Sequence, residues 1–166
     1  MPIDLRHSVN APYPIRLVPW SVAQALVAPV REAVFIREQG VPADLEWDDL
    51  DAAALHALAE DPSGRVIGTA RLLPDGYIGR MAVLVPWRRR GVGSAMLVRL
   101  LVAAGDQGLR TVRLNAQTEA VAFYVRHGFE KRGGEFLDAG IPHVAMQRHV
   151  DTGPTAPAVA DDNAKP

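Results

Sequence analysis

Arg88, Arg89 and Arg90 stand directly before Gly91-Val92-Gly93-Ser94, joining dense positive charge to a stretch with almost no side-chain bulk. Tyr77 to Val85 reads as a buried strand stopped by Pro86 and Trp87, and Val92 to Ala104 reads as an apolar helix, so the glycines open that helix. The first N–H groups of a helix have no intrahelical partner and carry a partial positive charge. A glycine-bared helix start beside three arginines therefore suits a phosphate or pyrophosphate, and glycine lets the ligand reach the backbone. A nucleoside-triphosphate loop would need Gly-Lys-Ser/Thr, but Ser94-Ala95 follow Gly93 and no lysine occurs before Lys131. A dinucleotide fingerprint would need a third glycine where Met96 stands, near the start of a repeated βαβ pattern. The alternative reading of the same residues is an exposed basic turn that caps a core helix.

Composition removes several other chemistries. The chain of 166 residues contains no cysteine, so disulfides, thiolate metal sites and a cysteine acyl-enzyme are excluded. No Gly-x-Ser-x-Gly elbow occurs, and the five histidines show no metal-ligand spacing, so no metal is expected. A net charge of −1 gives no general reason to expect nucleic acid or a membrane surface. The N-terminus has no apolar leader and no apolar run reaches the length of a membrane span, from which a cytoplasmic protein is expected.

The elements that must position the loop fit one domain over residues 14–150, between an extended arm (1–13) and a disordered tail (151–166). Ile15 to Val18 reads as a first strand; Ser21 can cap a helical turn, and Pro29 is placed to start a second helix ending at Gly40. Asp44 to Asp51 holds five carboxylates and no basic residue, as a solvated loop or as a field for a cation. Ala54–Glu60 and Val66–Leu73 read as a hairpin turning at Asp61-Pro62-Ser63-Gly64, and Pro74-Asp75-Gly76 turns into the strand that feeds the glycine loop. Thr111 to Asn115, reached by a helical crossover, must run parallel to that strand. A short helix over Glu119–His127 stops at Gly128, and Phe129–Phe136 and His143–His149 read as closing strands.

This order, with Arg88-x-x-Gly91-x-Gly93 and Phe123-Tyr124-x-x-x-Gly128-Phe129, resembles the GNAT superfamily of acyl-CoA-dependent N-acyltransferases. Ala33-Val34-Phe35-Ile36-Arg37-Glu38-Gln39, Ile78-Gly79-Arg80, Asn115-Ala116-Gln117 and Gly140-Ile141-Pro142-His143 resemble its ElaA-like branch. The resemblance implies an α/β (α+β) fold, a mostly antiparallel mixed sheet whose parallel strands 4 and 5 splay apart, flanked by helices. It implies a site for acetyl-CoA, with pantetheine along Met81, Ala82 and Val83 and pyrophosphate on Arg88, Arg89, Arg90, Gly91, Val92, Gly93 and Ser94. Gln117 stands where many relatives carry a cofactor-bonding asparagine, one methylene longer.

The implied reaction is acetyl transfer from acetyl-CoA to a primary amine by direct attack on the thioester, in a monomer or homodimer that needs no nucleic acid, membrane or metal. Tyr124 is the expected general acid, also touching the cofactor, since a phenol with pKa near 10 can donate to a departing thiolate. The Val83 N–H is expected to polarise the thioester carbonyl. Glu38, His56, Glu60 and His143 remain open as the base, and the acidic stretch points to a cationic amine. A non-catalytic acyl-CoA sensor or scaffold would use the same loop, so that alternative stays beside the enzyme.

Overall fold

The structure, a computed structural model, describes residues 13–152. The expected arm, apart from residue 13, and the expected tail beyond residue 152 lie outside the described residues. The chain order is β1 (Ile15–Pro19), α1 (Trp20–Arg31, running on as a π-helical segment Glu32–Glu38), α2 (Ala43–Glu46), β2 (Leu55–Glu60), β3 (Val66–Leu72) and β4 (Ile78–Val83). Then follow α3 (Val92–Asp106), β5 (Thr111–Gln117), α4 (Val121–Arg126), β6 (Glu130–Asp138) and β7 (Ile141–His149). Among the described residues, no helix is long and apolar enough to cross a membrane.

The strands form two antiparallel sheets, β1-β2-β3-β4 and β5-β7-β6. They meet at one parallel bridge, Tyr77 with Arg113, where the Arg113 N–H donates to the Gly76 carbonyl at 3.0 Å. Beyond it β4 and β5 part, as the resemblance implied. A bulge in β4 helps to turn the strand: Thr69 pairs with Ala82 and Arg71 with Gly79, so Arg80 and Met81 together stand opposite Ala70. Arg80 takes a left-handed φ of 50°, a conformation that costs a non-glycine residue about 1 kcal/mol.

The first sheet is covered on both faces. Met96, Leu97, Leu100, Leu101 and Ala104 of α3 recur at helical spacing and bury against Ala57, Ala59 and Ile67. Gly68 permits this approach, since a Cβ there would lie 3.2 Å from both Met96 and Val92. On the other face, Ala23, Val27, Val30 and Val34 bury against Leu58, Val66 and Ala82. That stripe explains a correction: Pro29 lies inside α1 and does not break it. An interior proline costs about 3 kcal/mol, and three valines contribute about 1.5–3 kcal/mol each on full burial. Ser21 lies within the first turn and the N-cap is Pro19, so Ser21 is not the cap.

A second correction concerns the acidic stretch, where three of the five carboxylates, Glu46, Asp48 and Asp51, have basic partners far away in sequence. Arg31, 1% exposed, donates from Nε to Glu46 (2.6 Å) and from Nη1 to Asp51 (2.8 Å), with its guanidinium 4.6 Å from the Trp47 ring centroid. Arg71 bonds Asp48 at 2.7 and 2.9 Å and Asp51 at 2.8 Å, and Arg80 reaches Asp48 at 3.2 Å and Glu46 at 3.3 Å. Burial pushes the Glu46 carboxyl up, against the pull of Arg31, Arg80 and Arg71. Three guanidiniums thus face three carboxylates, and the local field expected of this stretch is largely cancelled.

Removing one member would leave buried charges without a partner. Arg31→Met should lower stability by about 3–5 kcal/mol, read from urea unfolding midpoints. Asp49→Asn, at an exposed carboxylate outside the cluster, should change it by less than about 0.5 kcal/mol.

Candidate functional site

The gap between the diverging strands opens into a cleft of about 660 Å³, walled by the end of α1, the bulged β4, the end of β5, α4 and the β6–β7 turn. The start of α3 adjoins this cleft through the ring of Phe123, a lining residue 3.6 Å from a Cβ built on Gly93. Gly91 caps the helix with φ 81°, a Cβ built on it meets nothing within 4 Å, and the first intrahelical bond runs from the Ala95 N–H to the Gly91 carbonyl at 3.0 Å. The N–H groups of Val92, Gly93 and Ser94 precede that bond and have no helical acceptor. Arg89 and Arg90 are exposed beside them, Arg90 with its guanidinium 5.2 Å from the Trp87 ring centroid. Open backbone donors and two exposed cations fit a pyrophosphate. Ser94 Oγ lies 3.0 Å from His127 Nε2, whose pKa burial pushes down.

Arg88 is directed elsewhere. Its Nη1 and Nη2 donate to the two oxygens of Glu38 at 2.7 and 2.8 Å, and its Nε donates to the Val83 carbonyl at 2.9 Å.

On β4 the Leu84 N–H donates back to Ile67 of β3 at 2.9 Å. Strand alternation therefore turns the N–H and carbonyl of Val83 toward the cleft. Met81 and Ala82 also line it, and the Met81 sulfur accepts from the Tyr124 hydroxyl at 3.6 Å. Tyr124, 9% exposed, is held edge-on by Phe123 and Phe129. Burial, with a smaller contribution from Tyr77, pushes its phenol up to about 12, so it keeps its proton throughout the neutral range.

Gln117 ends β5, and its amide donates to Gln39 at 2.9 Å, tying β5 to the turn after α1. Of the four expected bases, Glu38 and His143 line the cleft. The bidentate Arg88 bond lowers the Glu38 pKa and makes it a weak base. His143 Nδ1 lies 2.7 Å from the Ile141 carbonyl, which can only accept, so Nδ1 carries the hydrogen and neutral His143 has its lone pair on Nε2. His56 and Glu60 are not among the lining residues. The buried His56 ring donates to the Asp51 carbonyl at 2.9 Å and burial lowers its pKa, while Glu60 pairs with Arg16 at the far end of β2.

The fold also brings in side chains to which the sequence assigned no role: Tyr77, Asn115, Glu119 and Asp138. Asp138 sits at the β6–β7 turn, close enough to Tyr77 for its charge to add to burial in raising that phenol's pKa. The hairpin signal around Gly140 marks a turn without saying what it faces.

A family model described as an acetyltransferase (GNAT) domain matches residues 27–150. The chain is 43% identical over 123 residues to the uncharacterized N-acetyltransferase YjcF of Bacillus subtilis, covering 72% of this chain and 87% of that protein. An acyl-CoA N-acyltransferase from Pseudomonas aeruginosa is similar in structure with a TM-score of 0.74 and 29% identity, over 82% of this chain and 99% of that one. ElaA of Escherichia coli shares the fold with a TM-score of 0.74 at 24% identity, over 82% of this chain and 99% of its own.

The two loop glycines differ in what they require. Gly91→Ala should destabilise by about 1 kcal/mol, because an L side chain is strained at the φ of 81°. Gly93→Ala, whose Cβ would meet the Phe123 ring at an ordinary 3.6 Å, should leave the melting temperature within about 2 °C of the parent. Thermal unfolding of both variants checks this.

Proposed function

The chain belongs to the acetyltransferase (GNAT) family and is an N-acetyltransferase, and from that premise we propose that it transfers an acetyl group from acetyl-CoA to a primary amine by direct attack on the thioester. The observation that carries this reading is convergence on one cleft: the Val83 edge of β4 and the buried Tyr124 phenol line the same gap between β4 and β5, and the Gly91–Ser94 helix start adjoins it through Phe123, which lines the gap and lies 3.6 Å from a Cβ built on Gly93. Acetyl-CoA supplies the acetyl group as a thioester and its sulfur leaves as the thiolate, which takes a proton from solvent at neutral pH because a thiol titrates near 8.5. Everything else is done by side chains and backbone of this chain.

Arg89, Arg90 and the N–H groups of Val92, Gly93 and Ser94 hold the pyrophosphate, and the Met81–Val83 edge takes the pantetheine. The Val83 N–H polarises the thioester carbonyl. Tyr124 stands ready at the sulfur. A thiol of pKa near 8.5 lies well below a phenol of about 12, so full proton transfer to a thiolate would be uphill. The phenol therefore contributes a hydrogen bond that strengthens as charge builds on sulfur. His143 accepts the amine proton at Nε2. A lysine-like amine costs about 4–5 kcal/mol to deprotonate at pH 7, so this position bears on the rate.

The acceptor we assign is a cationic amine, on different residues from those the sequence indicated. Glu46 and Asp48 bond arginines, and so does Glu38. Glu119 and Asp138 line the cleft with no basic partner among the described residues, and they leave it an excess of negative charge.

Acetyl-CoA at a hundred times its Kd should stabilise the fold by about 2.7 kcal/mol, and incubation with a panel of amines should release free CoA steadily. Binding without release would return the chain to the sensor reading. Tyr124→Phe should lower kcat about a hundredfold with little change in acetyl-CoA binding. Because burial favours the neutral phenol, its ionisation should cost the parent no kcat up to pH 10. A decline below that pH that vanishes in Tyr124→Phe would contradict the assignment. Asp138→Asn should reduce kcat/KM for diamines more than for uncharged-tail amines, with the difference shrinking as salt rises. Equal effects on both would remove Asp138 from acceptor selection.

A further inference from the structure

Arg88 occupies the first position of the arginine-glycine motif, yet its guanidinium points away from the helix start that the motif opens. All three of its nitrogens are engaged: two parallel bonds to the Glu38 carboxylate at 2.7 and 2.8 Å and one to the Val83 carbonyl at 2.9 Å. The two partners come from two different elements that line the cleft. Glu38 ends the π-helical run of the first helix, and Val83 ends β4. From these contacts we infer that Arg88 is a positioning residue for the transfer step, and that with Glu38 it forms a clamp holding the cleft-facing edge of β4 at Val83. The inference rests on the acyl-transfer reading of the cleft.

The physical argument begins at Val83. Its N–H and its carbonyl face the same edge, so a polarising donor and an acceptor lie side by side. Left alone, that carbonyl would present negative charge beside the oxygen on which charge develops. A guanidinium on the carbonyl offsets this charge and restricts rotation about Val83, which aims the neighbouring N–H. A donor aimed in advance acts on the developing charge without reorganising. The bidentate carboxylate fixes the guanidinium plane, something a single bond cannot do.

Glu38 also neutralises Arg88, which leaves Arg89 and Arg90 as the cations of the motif without a carboxylate partner among the described residues. The π-helical run ends in widened turns, with the Gln39 N–H on the Val34 carbonyl at 3.1 Å and the Val41 N–H on the Phe35 carbonyl at 2.9 Å. Glu38 lies within this geometry. Because both members of the pair are 37% exposed, breaking it should not unfold the protein.

The experiment uses the full chain and compares Arg88→Met, Glu38→Gln, the double variant and Arg88→Lys. Calorimetry with CoA gives Kd, and turnover of acetyl-CoA with the best amine of the panel gives kcat across pH. For a clamp, Arg88→Met and Glu38→Gln each keep Kd within about twofold and lower kcat at least tenfold, with the shape of the pH profile unchanged. The double variant is then no worse than the poorer single, because the two residues act as one device. Arg88→Lys does not restore kcat, since an ammonium lacks the fork.

An arginine that binds pyrophosphate gives a different pattern. Arg88→Met then weakens CoA at least tenfold, Arg88→Lys recovers part of the loss, and Glu38→Gln tightens CoA by releasing the guanidinium. That pattern overturns the inference. So does loss of one limb of the pH profile in Glu38→Gln alone, which would make Glu38 the base, and so does a lowered melting temperature with Kd and kcat unchanged. If the parent turns over no amine, the acyl-transfer reading fails, whereas CoA binding still distinguishes a clamp, which leaves both single variants within about twofold of the parent Kd, from a phosphate ligand, for which Arg88→Met weakens and Glu38→Gln tightens CoA.

Discussion

Two adjacent parallel strands that part after one bridge leave backbone donors and acceptors with no neighbour to satisfy them. Buried backbone groups do not stay unpaired at low cost, so the edge of β4 beyond the bridge suits an extended polar ligand or a side chain that can stand in for one. The bulge at Arg80 and Met81 helps to create this condition by turning β4 away, and the cleft, the exposed Val83 N–H and the access to Tyr124 all follow from it. The chain supplies some partners of its own here: Arg88 on the Val83 carbonyl and the Tyr124 hydroxyl on the Met81 sulfur.

The neighbouring ionic cluster is built on a different principle. Arg31, Glu46, Asp51 and Arg71 are nearly inaccessible to water, and a buried ion pair repays its desolvation only with close geometry and saturated hydrogen bonds. Most of that requirement is met, since the three guanidiniums and three carboxylates of the cluster share contacts, and Arg71 Nε is the one buried side-chain polar atom among the described residues without a partner. Such a cluster specifies one arrangement of the segment after α1, because shifting any member strands another. It also pins the strained Arg80 backbone through four side-chain bonds, one to the carbonyl of Leu45, two to that of Glu46 and one to Asp48. That part of the cleft wall is held in one arrangement for that reason, and Glu119 and Asp138 are the cleft-lining carboxylates left without a basic partner among the described residues.

Much of the fold could be read from local pattern. The α3 helix and its glycine start, the β2–β3 hairpin, the turn at Gly128 and the alternating strand β5 depend on periodicity and turn chemistry within about ten residues, so neighbouring residues carry the information. The placement of Tyr124 one turn before Gly128 and the parallel relation of β4 and β5 followed in the same way. What local pattern could not weigh was competition at a distance. Pro29 signals a break, and the signal fails because a buried stripe on α1 outweighs one lost hydrogen bond.

Charge was the part decided by tertiary structure. The sequence by itself determined which side chains exist and on which elements they ride, but the partners of its ionic groups lie 15 residues apart for Arg31 with Glu46, 23 for Arg71 with Asp48 and 50 for Arg88 with Glu38. An acidic run with no basic residue in it thus becomes a largely neutral wall, and the leading arginine of an anion motif becomes a strut. His56 and Glu60 turn away from the cleft, and His143 and Asp138 turn into it. Coulomb energy depends on the distance between charges in space and on the water between them, and both quantities come into being only when the chain is folded.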